Sequence, residues 1–248
     1  MNAPQVVILC GGQGTRLREH TQTIPKALVD IGGKPILWHI MKLYRHYGFD
    51  EFLLCLGYKG ELIREYMEAH PGDWTINCID TGAETQTGGR VLRCLPHVKG
   101  DTVFVTYGDG LADIDLGALL NFHHNQDRVA TVTCVNPQSP FGVVELDEED
   151  KVVQYREKPR MDHWISGGFF VFNRKVFNYL QGDEDILERR PFESMVADGQ
   201  VSGFRLDSFW TCMDTYKDTQ RLNELWKTDK APWKVWKDEP VRKSYVAA

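Results

Sequence analysis

Through the first half of the chain, short apolar runs alternate with stretches of helical period, and this alternation most narrows the choice of fold. Residues 6–10 (VVILC), 52–57 (FLLCLG), 75–80 (TINCID) and 103–109 (VFVTYGD) are dense in Val, Ile, Leu and Phe, as strands buried on both faces must be. Between the first two, KPILWHIMKLYRHYG sets Ile36, Leu37, Ile40, Leu43, Tyr44 and Tyr47 on one helical face. Pro35 suits the first turn of that helix and Gly48 its end. KGELIREYMEAHPG repeats the pattern, with Leu62, Ile63 and Tyr66 inward and Pro71-Gly72 as the stop. Strand and helix in this rhythm imply right-handed crossovers, and hence a mainly parallel sheet covered on both faces.

Past residue 127 the pattern changes. RVATVTCV, GVVELD, KVVQYRE and SGGFFVFN are strand-like and are joined by NPQSPFG, DEED and KPRMDHWI, which predicts hairpins that extend or flank the sheet. A helical stretch over 192–197 precedes two further strands, VSGFRL and FWTCMD. The end, YKDTQRLNELWKTDKAPWKVW, reads as a helix followed by an aromatic tail, whose Trp226, Trp233 and Trp236 pack either on the domain or on a neighbouring subunit. With no repeat, low-complexity stretch or linker, residues 1–248 read as a single domain. The expected class is α/β, three-layered and Rossmann-like, with a mixed, mainly parallel sheet and flanking β-hairpins.

Composition limits the partners. At 42% hydrophobic and 26% charged, the 248 residues suit an ordinary globular protein. No apolar run approaches the roughly 18 to 20 residues that span a bilayer, and residues 1–4 lack a signal-peptide pattern, so a cytoplasmic protein is expected. The six cysteines show no CxxC spacing and read as free thiols. A net charge of -6 argues against nucleic-acid binding. It leaves a phosphate ligand open, because charges more than about 10 Å away are largely screened and local cations decide.

The glycine-rich turn in VVILCGGQGTRLREHTQTIPKAL supplies such a site. Gly11, Gly12 and Gly14 permit close backbone approach, and successive amides in such a turn form an anion-binding concavity, with Arg16 and Lys26 nearby. A P-loop would end in GK followed by Ser or Thr, and a dinucleotide fingerprint would have a third glycine where Leu17 stands. The polar, irregular stretch up to Pro25 instead suggests a loop wrapping a ligand.

CGGQGTRL followed by PKAL resembles the signature of the sugar-phosphate nucleotidyltransferases, which join a nucleoside triphosphate to a sugar 1-phosphate and release pyrophosphate. The resemblance runs along nearly the whole chain. IGGKPILWHIMKLY, GYKGELIREY, DTG…TGGR, TYGDGLADID, EKP, GGFFVFN, FW…MDT and KAPWKVW are similar to the branch of that family that makes CDP-glucose from CTP and glucose 1-phosphate. It implies a nucleotide-binding half over 1–127, a sugar-phosphate half with the tail over 128–248, Mg²⁺ as cofactor, and a homo-oligomer, hexameric in that branch.

The resemblance also implies site residues. Arg16, Lys26 and Asp109 would be catalytic. Leu9, Cys10, Gly11, Gly12, Gln13, Gly14, Thr15, Arg16, Lys26, Thr85, Gly88, Arg90 and Gly108 would bind nucleotide. Glu157, Lys158, Ser166 and Gly168 would bind the sugar phosphate, and Asp109 with Asp214 would hold the metal. The chemistry is consistent with these types: a phosphate already carries an attacking oxygen, so the site needs charge neutralisation and in-line positioning rather than a protein nucleophile. Two strand-end carboxylates with substrate phosphates and water satisfy Mg²⁺.

Two departures mark this chain: Ser166 stands where the branch usually has Asn, and the stretch from Tyr66 to Asp80 is shorter. A metal-dependent glycosyltransferase using Asp113-Ile114-Asp115 and a non-catalytic nucleotide sensor are the competing readings. His123-His124 reads as structural, since adjacent residues diverge on a helix, and LDEEDK as a solvated turn.

Overall fold

The computed structural model describes residues 3–17 and 21–237. Its strands are β1 (Gln5–Leu9), β2 (Asp30–Ile31), β3 (Lys34–Pro35), β4 (Glu51–Leu56), β5 (Thr75–Asp80), β6 (Thr102–Tyr107), β7 (Gly110–Ala112), β8 (Ala130–Val135), β9 (Val143–Leu146), β10 (Val152–Arg156), β11 (Ile165–Asn173), β12 (Val201–Leu206) and β13 (Trp210–Cys212). The α-helices are α1 (Ile36–His46), α2 (Gly60–Ala69), α3 (Thr87–Arg93), α4 (Leu116–Gln126), α5 (Arg190–Ala197) and α6 (Tyr216–Lys227).

A seven-stranded sheet in the order β12-β8-β11-β6-β1-β4-β5 forms the middle layer. β11 is antiparallel to both neighbours, and every other pairing is parallel. The sheet is thus mixed and mainly parallel, as expected. Side chains alternate along a strand, so the apolar run Val6–Leu9 of β1 feeds two cores. Val6 and Ile8 join Ile40, Leu43 and Tyr44 of α1 on one face. Val7 and Leu9 join Val91, Leu187 and Met195 on the other.

The later strands behave in two ways. β8 and β11 extend the sheet, because their apolar residues are buried between layers. β9 and β10 pair only with each other in a separate ribbon that leaves Val144, Val153 and Tyr155 exposed. The LDEEDK turn is solvent-facing, its Asp147 side chain accepting from the Glu149 and Lys151 amides.

The aromatic tail packs on its own chain. Trp226 and Trp233 enclose His39 of α1, with ring centroids 4.5 and 6.0 Å away, and Trp38 meets Trp236 at 5.9 Å. Trp233 is fully buried and donates its Nε1–H to His39 Nδ1 at 3.3 Å, while His39 Nε2 bonds the Ile31 carbonyl at 2.8 Å. Those partners fix the neutral tautomer, and burial pushes the imidazole pKa down to about 4. His123 is likewise structural, buried against Thr131 Oγ1 at 2.9 Å. Asp115 is the N-cap of α4, accepting from the Ala118 amide, and Ile114 beside it is buried. The cluster of metal-ligating side chains found among the described residues is Asp109, Cys212 and Asp214 and includes neither Asp113 nor Asp115, which weighs against the metal-site reading of Asp113-Ile114-Asp115.

The strand order turns back between β6 and β1. From β1 the chain moves to β4 and β5 on one side, and from β6 it moves to the other. A crevice at the carboxyl ends of these two strands is where ligands gather in open α/β sheets. The glycine loop leaves β1 there, and Gly108-Asp109 leaves β6 beside it.

Candidate active site

Backbone bonds anchor the end of β1 and the glycine loop to β4 and to the turns that follow β4 and β6. Cys10 N donates to Cys55 O at 3.1 Å, Tyr58 N to Gly11 O at 3.0 Å, and Gly108 N to Leu9 O at 3.2 Å. Two glycines are there for different reasons. A methyl group at Gly11 would lie 2.0 Å from Arg90 Nη1, whereas one at Gly12 would meet nothing within 4 Å. Gly14 has φ +61°, which turns the chain into the 3₁₀ turn Thr15–Leu17. Thr21 braces this turn, its hydroxyl donating to Leu17 O at 3.0 Å.

The loop forms one wall of a cavity of about 710 Å³. Leu9, Cys10, Gly11, Gly12, Gln13, Gly14, Thr15, Arg16, Lys26, Thr85, Arg90, Gly108, Asp109, Ser166, Gly168 and Asp214 all line it. Residues far apart in sequence thus converge at one crevice.

At its foot lies a four-charge cluster. Lys26 Nζ is 2.6 Å from Asp109 Oδ2 and 2.6 Å from Asp214 Oδ1, and Arg16 Nη1 is 2.6 Å from Asp214 Oδ2. Lys26 is 13% exposed and Arg16 74%, so one cation is held in the floor and the other reaches out over the rim. Burial disfavours the Lys26 ammonium, but the Asp109 and Asp214 carboxylates outweigh it and hold its pKa above the ordinary value. Burial also opposes the Asp214 charge, and Lys26 and Arg16 reverse that, holding the carboxyl below its ordinary range. Lys26 and Asp214 thus each hold the other in its charged form.

The ligand atoms of Asp109, Asp214 and Cys212 lie within 4.8 Å of one another. Two hard carboxylate oxygens beside a phosphate-sized cavity fit a divalent cation that completes its shell with phosphate and water. Burial and the neighbouring carboxylates push the Cys212 thiol pKa up, so it remains protonated and belongs to the wall.

Three expected residues stand outside the cavity lining. Gly88 is buried in α3, its amide donating to Asp185 O at 2.8 Å, and a methyl there would lie 2.8 Å from the same oxygen. Glu157 and Lys158 follow the β9–β10 ribbon, exposed and 3.5 Å apart, with Glu157 accepting from Tyr155 OH at 2.7 Å. Arg90 does border the cavity, but its guanidinium donates to the carbonyls of Leu56, Gly82, Gly11 and Ala83 and to Thr81 Oγ1. It is a strut that ties the glycine loop to the 82–83 turn, rather than a free donor for a nucleotide.

Sequence reasoning missed Gln86, Thr87, Tyr107, Trp210 and Cys212, which also line the cavity. Tyr107 and Cys212 lie two residues before Asp109 and Asp214, so strand periodicity was the available signal for them. Trp210 carries no such signal; its Nε1–H donates to Gly167 O at 2.8 Å and so supports the Ser166–Gly168 backbone from the side.

A crevice at the switch point, a glycine-loop anion cradle and a lysine between two strand-end aspartates define a nucleotide-dependent transferase. Residues 5–231 match the nucleotidyl transferase family model, and the chain belongs to that family. It is 42% identical to the "Probable glucose-1-phosphate cytidylyltransferase" of Bacillus subtilis (strain 168), over 94% of this chain and 100% of that one. It is 40% identical to the glucose-1-phosphate cytidylyltransferase of Salmonella typhi, over 94% of this chain and 99% of that one. Among solved structures, HddC from Yersinia pseudotuberculosis superimposes with a TM-score of 0.72 at 22% identity, covering 90% of this chain and 100% of that one, a likeness of fold.

Proposed function

We propose that this chain transfers the cytidylyl group of CTP to α-D-glucose 1-phosphate, giving CDP-glucose and pyrophosphate for the synthesis of a sugar polymer. The identities of 40% and 42% over nearly the full length of cytidylyltransferases support the substrate pair. The observation that carries the mechanism is Lys26 held at 2.6 Å from both Asp109 and Asp214 beneath the glycine loop.

Both reactants are anions, so catalysis is chiefly neutralisation and alignment. The amides of Gly12, Gly14 and Thr15, with Arg16 over the rim, hold the β- and γ-phosphates and stabilise the departing pyrophosphate. Asp109 and Asp214 would hold Mg²⁺, which would supply positive charge to offset that of the phosphates. The ammonium of Lys26 and the guanidinium of Arg16 would face the phosphate oxygens. Thr85 and Gln86 face the base and ribose, and Ser166 and Gly168 face the sugar. Glu157 and Lys158 belong to the sugar-phosphate side by resemblance, although neither lines the cavity. Ser166 makes a shorter reach to the sugar hydroxyls than the usual Asn.

The same reading takes the chain as one catalytic domain, with the halves 1–127 and 128–248 supplying nucleotide and acceptor sides. It works in the cytoplasm and assembles into a homo-oligomer, for which the exposed apolar side chains Val144, Val153 and Tyr155 offer a surface. No helix among the described residues is long and apolar enough to cross a membrane.

The test is pyrophosphate release with Mg²⁺, crossing CTP, UTP, dTTP, ATP and GTP against a panel of sugar 1-phosphates. Release confined to CTP with glucose 1-phosphate is the expected result. A different preferred pair would retain the mechanism and move the substrate, and no release with any pair would sink the proposal.

A further inference from the structure

Glu188 lies outside the cavity lining and is solvent-exposed, yet both of its carboxylate oxygens are taken by hydroxyls that line the cavity. Oε1 accepts from Tyr107 OH, and Oε2 accepts from Thr87 Oγ1 at 2.7 Å. The two donors come from different walls. Thr87 opens α3 and directly follows the 83–86 segment on the nucleotide side. Tyr107 ends β6, two residues before Asp109, and its ring packs on Gly168 on the acceptor side. That packing is close: Gly168 has φ +74°, and a methyl group there would lie 2.4 Å from Tyr107 Cδ2.

The segment that carries Glu188 is itself fastened to the nucleotide wall. Gln86 N donates to Asp183 O at 2.8 Å, Gly88 N to Asp185 O at 2.8 Å, and Leu187 N to Thr87 Oγ1 at 2.9 Å. Arg93 grips Asp183 with two nitrogens. Gly88 and Gly89 permit the approach, since a methyl at Gly89 would lie 2.6 Å from Asp183 Cα. Residues 183–188 therefore form a strap across the start of α3, and the Glu188–Tyr107 bond joins that strap to the acceptor wall.

We propose that Glu188 is a positioning residue that couples the two substrate sites, holding Thr87 and Tyr107 so that nucleotide bound on one wall improves the fit for acceptor on the other. A charge-assisted pair of hydroxyl bonds from one carboxylate gives such a link both strength and direction. Coupling of this kind is an exchange of binding free energy between two sites and is reciprocal. The inference rests on the proposed cytidylyl transfer, and the experiment separates the two.

Initial rates of pyrophosphate release would be measured over a matrix of CTP and glucose 1-phosphate for the wild type, Glu188→Gln, Glu188→Ala, Tyr107→Phe and the Glu188→Ala/Tyr107→Phe double variant, with thermal melts as a fold control. In the wild type, the apparent KM for glucose 1-phosphate should fall as CTP rises. Glu188→Ala should abolish that dependence and raise both KM values by about 10-fold, on the scale of losing a charged hydrogen bond, with kcat changed much less. Glu188→Gln, which keeps one acceptor oxygen, should restore part of the coupling. Tyr107→Phe should lose it alone and add nothing to Glu188→Ala. Unchanged coupling in Glu188→Ala, or a melting shift as its only effect, would overturn the inference, as would additive effects of the two substitutions. A wild type inactive with this pair would instead sink the proposed reaction and the inference with it.

Discussion

Lys26 and Asp109 are 83 residues apart in sequence, and their side chains meet at 2.6 Å in the floor of the cavity. The ammonium is also 2.6 Å from Asp214, so a single cation stands between the two carboxylates that would hold a divalent ion. The fold alone thus brings two cations and two carboxylates together at one point of the cavity.

Replacing Lys26 with Met removes the central positive charge while retaining much of the side-chain volume. Turnover in pyrophosphate release should fall by about 10²–10³, the scale for one electrostatic group at a reacting centre. The carboxylates of Asp109 and Asp214, left with Arg16 alone, should also repel one another and lower the melting temperature. Loss of neither turnover nor stability would remove Lys26 from the reacting centre.

Asp109→Asn retains shape and removes one carboxylate charge. Activity should drop by at least about 10²-fold, with the divalent-ion concentration for half-maximal rate displaced upward. Chelation with EDTA should abolish wild-type release, and added Mg²⁺ should restore it. A variant with normal turnover and an unchanged Mg²⁺ titration would refute the metal assignment.

Gly11 and Gly12 are neighbours with opposite expected sensitivities. Gly11→Ala drives a methyl into the Arg90 guanidinium at 2.0 Å, so it should cost about 1–3 kcal/mol of stability, as overpacking does. Gly12→Ala meets nothing in the protein and should melt like the wild type. Its effect should be a raised KM for nucleotide, because the methyl projects where phosphate approaches. Urea unfolding and steady-state kinetics on the pair would separate the two roles, and equal melting losses would contradict them.

His39 ties stability to pH. Burial lowers its folded-state pKa to about 4 from the ordinary value of about 6.5, so the unfolded chain binds the proton more readily. The contribution of neutral His39 is complete above about pH 6.5 and is lost as pH falls towards 4. The full swing is about 3 kcal/mol, from 2.5 units at 1.36 kcal/mol each. Urea midpoints between pH 7 and 4.5 should decline, and His39→Gln, which retains a donor for the Ile31 carbonyl, should show a shallower decline. Parallel pH profiles for the two proteins would count against this origin.

Strands β1, β4, β5 and β6 and helices α1 and α2 were legible in sequence because their apolar spacing is local, whereas the short strands β2, β3 and β7 and the seven-residue α3 carry too little of it to be read. Residues 75–80 are a strand as read, and the helix expected after Pro35 is Ile36–His46. The glycine loop was legible for a related reason: backbone amides in a tight turn need glycine, and cations within a few residues mark the charge they face. Asp109 and Asp214 were named through the resemblance to the nucleotidyltransferases, since a strand-end position by itself also suits a helix cap.

What the tertiary structure alone decided is which side chains have their bonds satisfied by the protein and which are left for a ligand. Arg90 has the charge and position of a nucleotide contact, but backbone carbonyls from several turns occupy its guanidinium. The Trp226 and Trp233 tail could have covered a neighbour, but its indoles close on His39 of the same chain. Glu188 shows no local pattern, because its partners Thr87 and Tyr107 lie 101 and 81 residues away. Hydrophobic period and turn chemistry are properties of neighbours along the chain and can be read there. Hydrogen-bond satisfaction and charge pairing depend on groups that the sheet order brings together, and those exist only once the chain has folded.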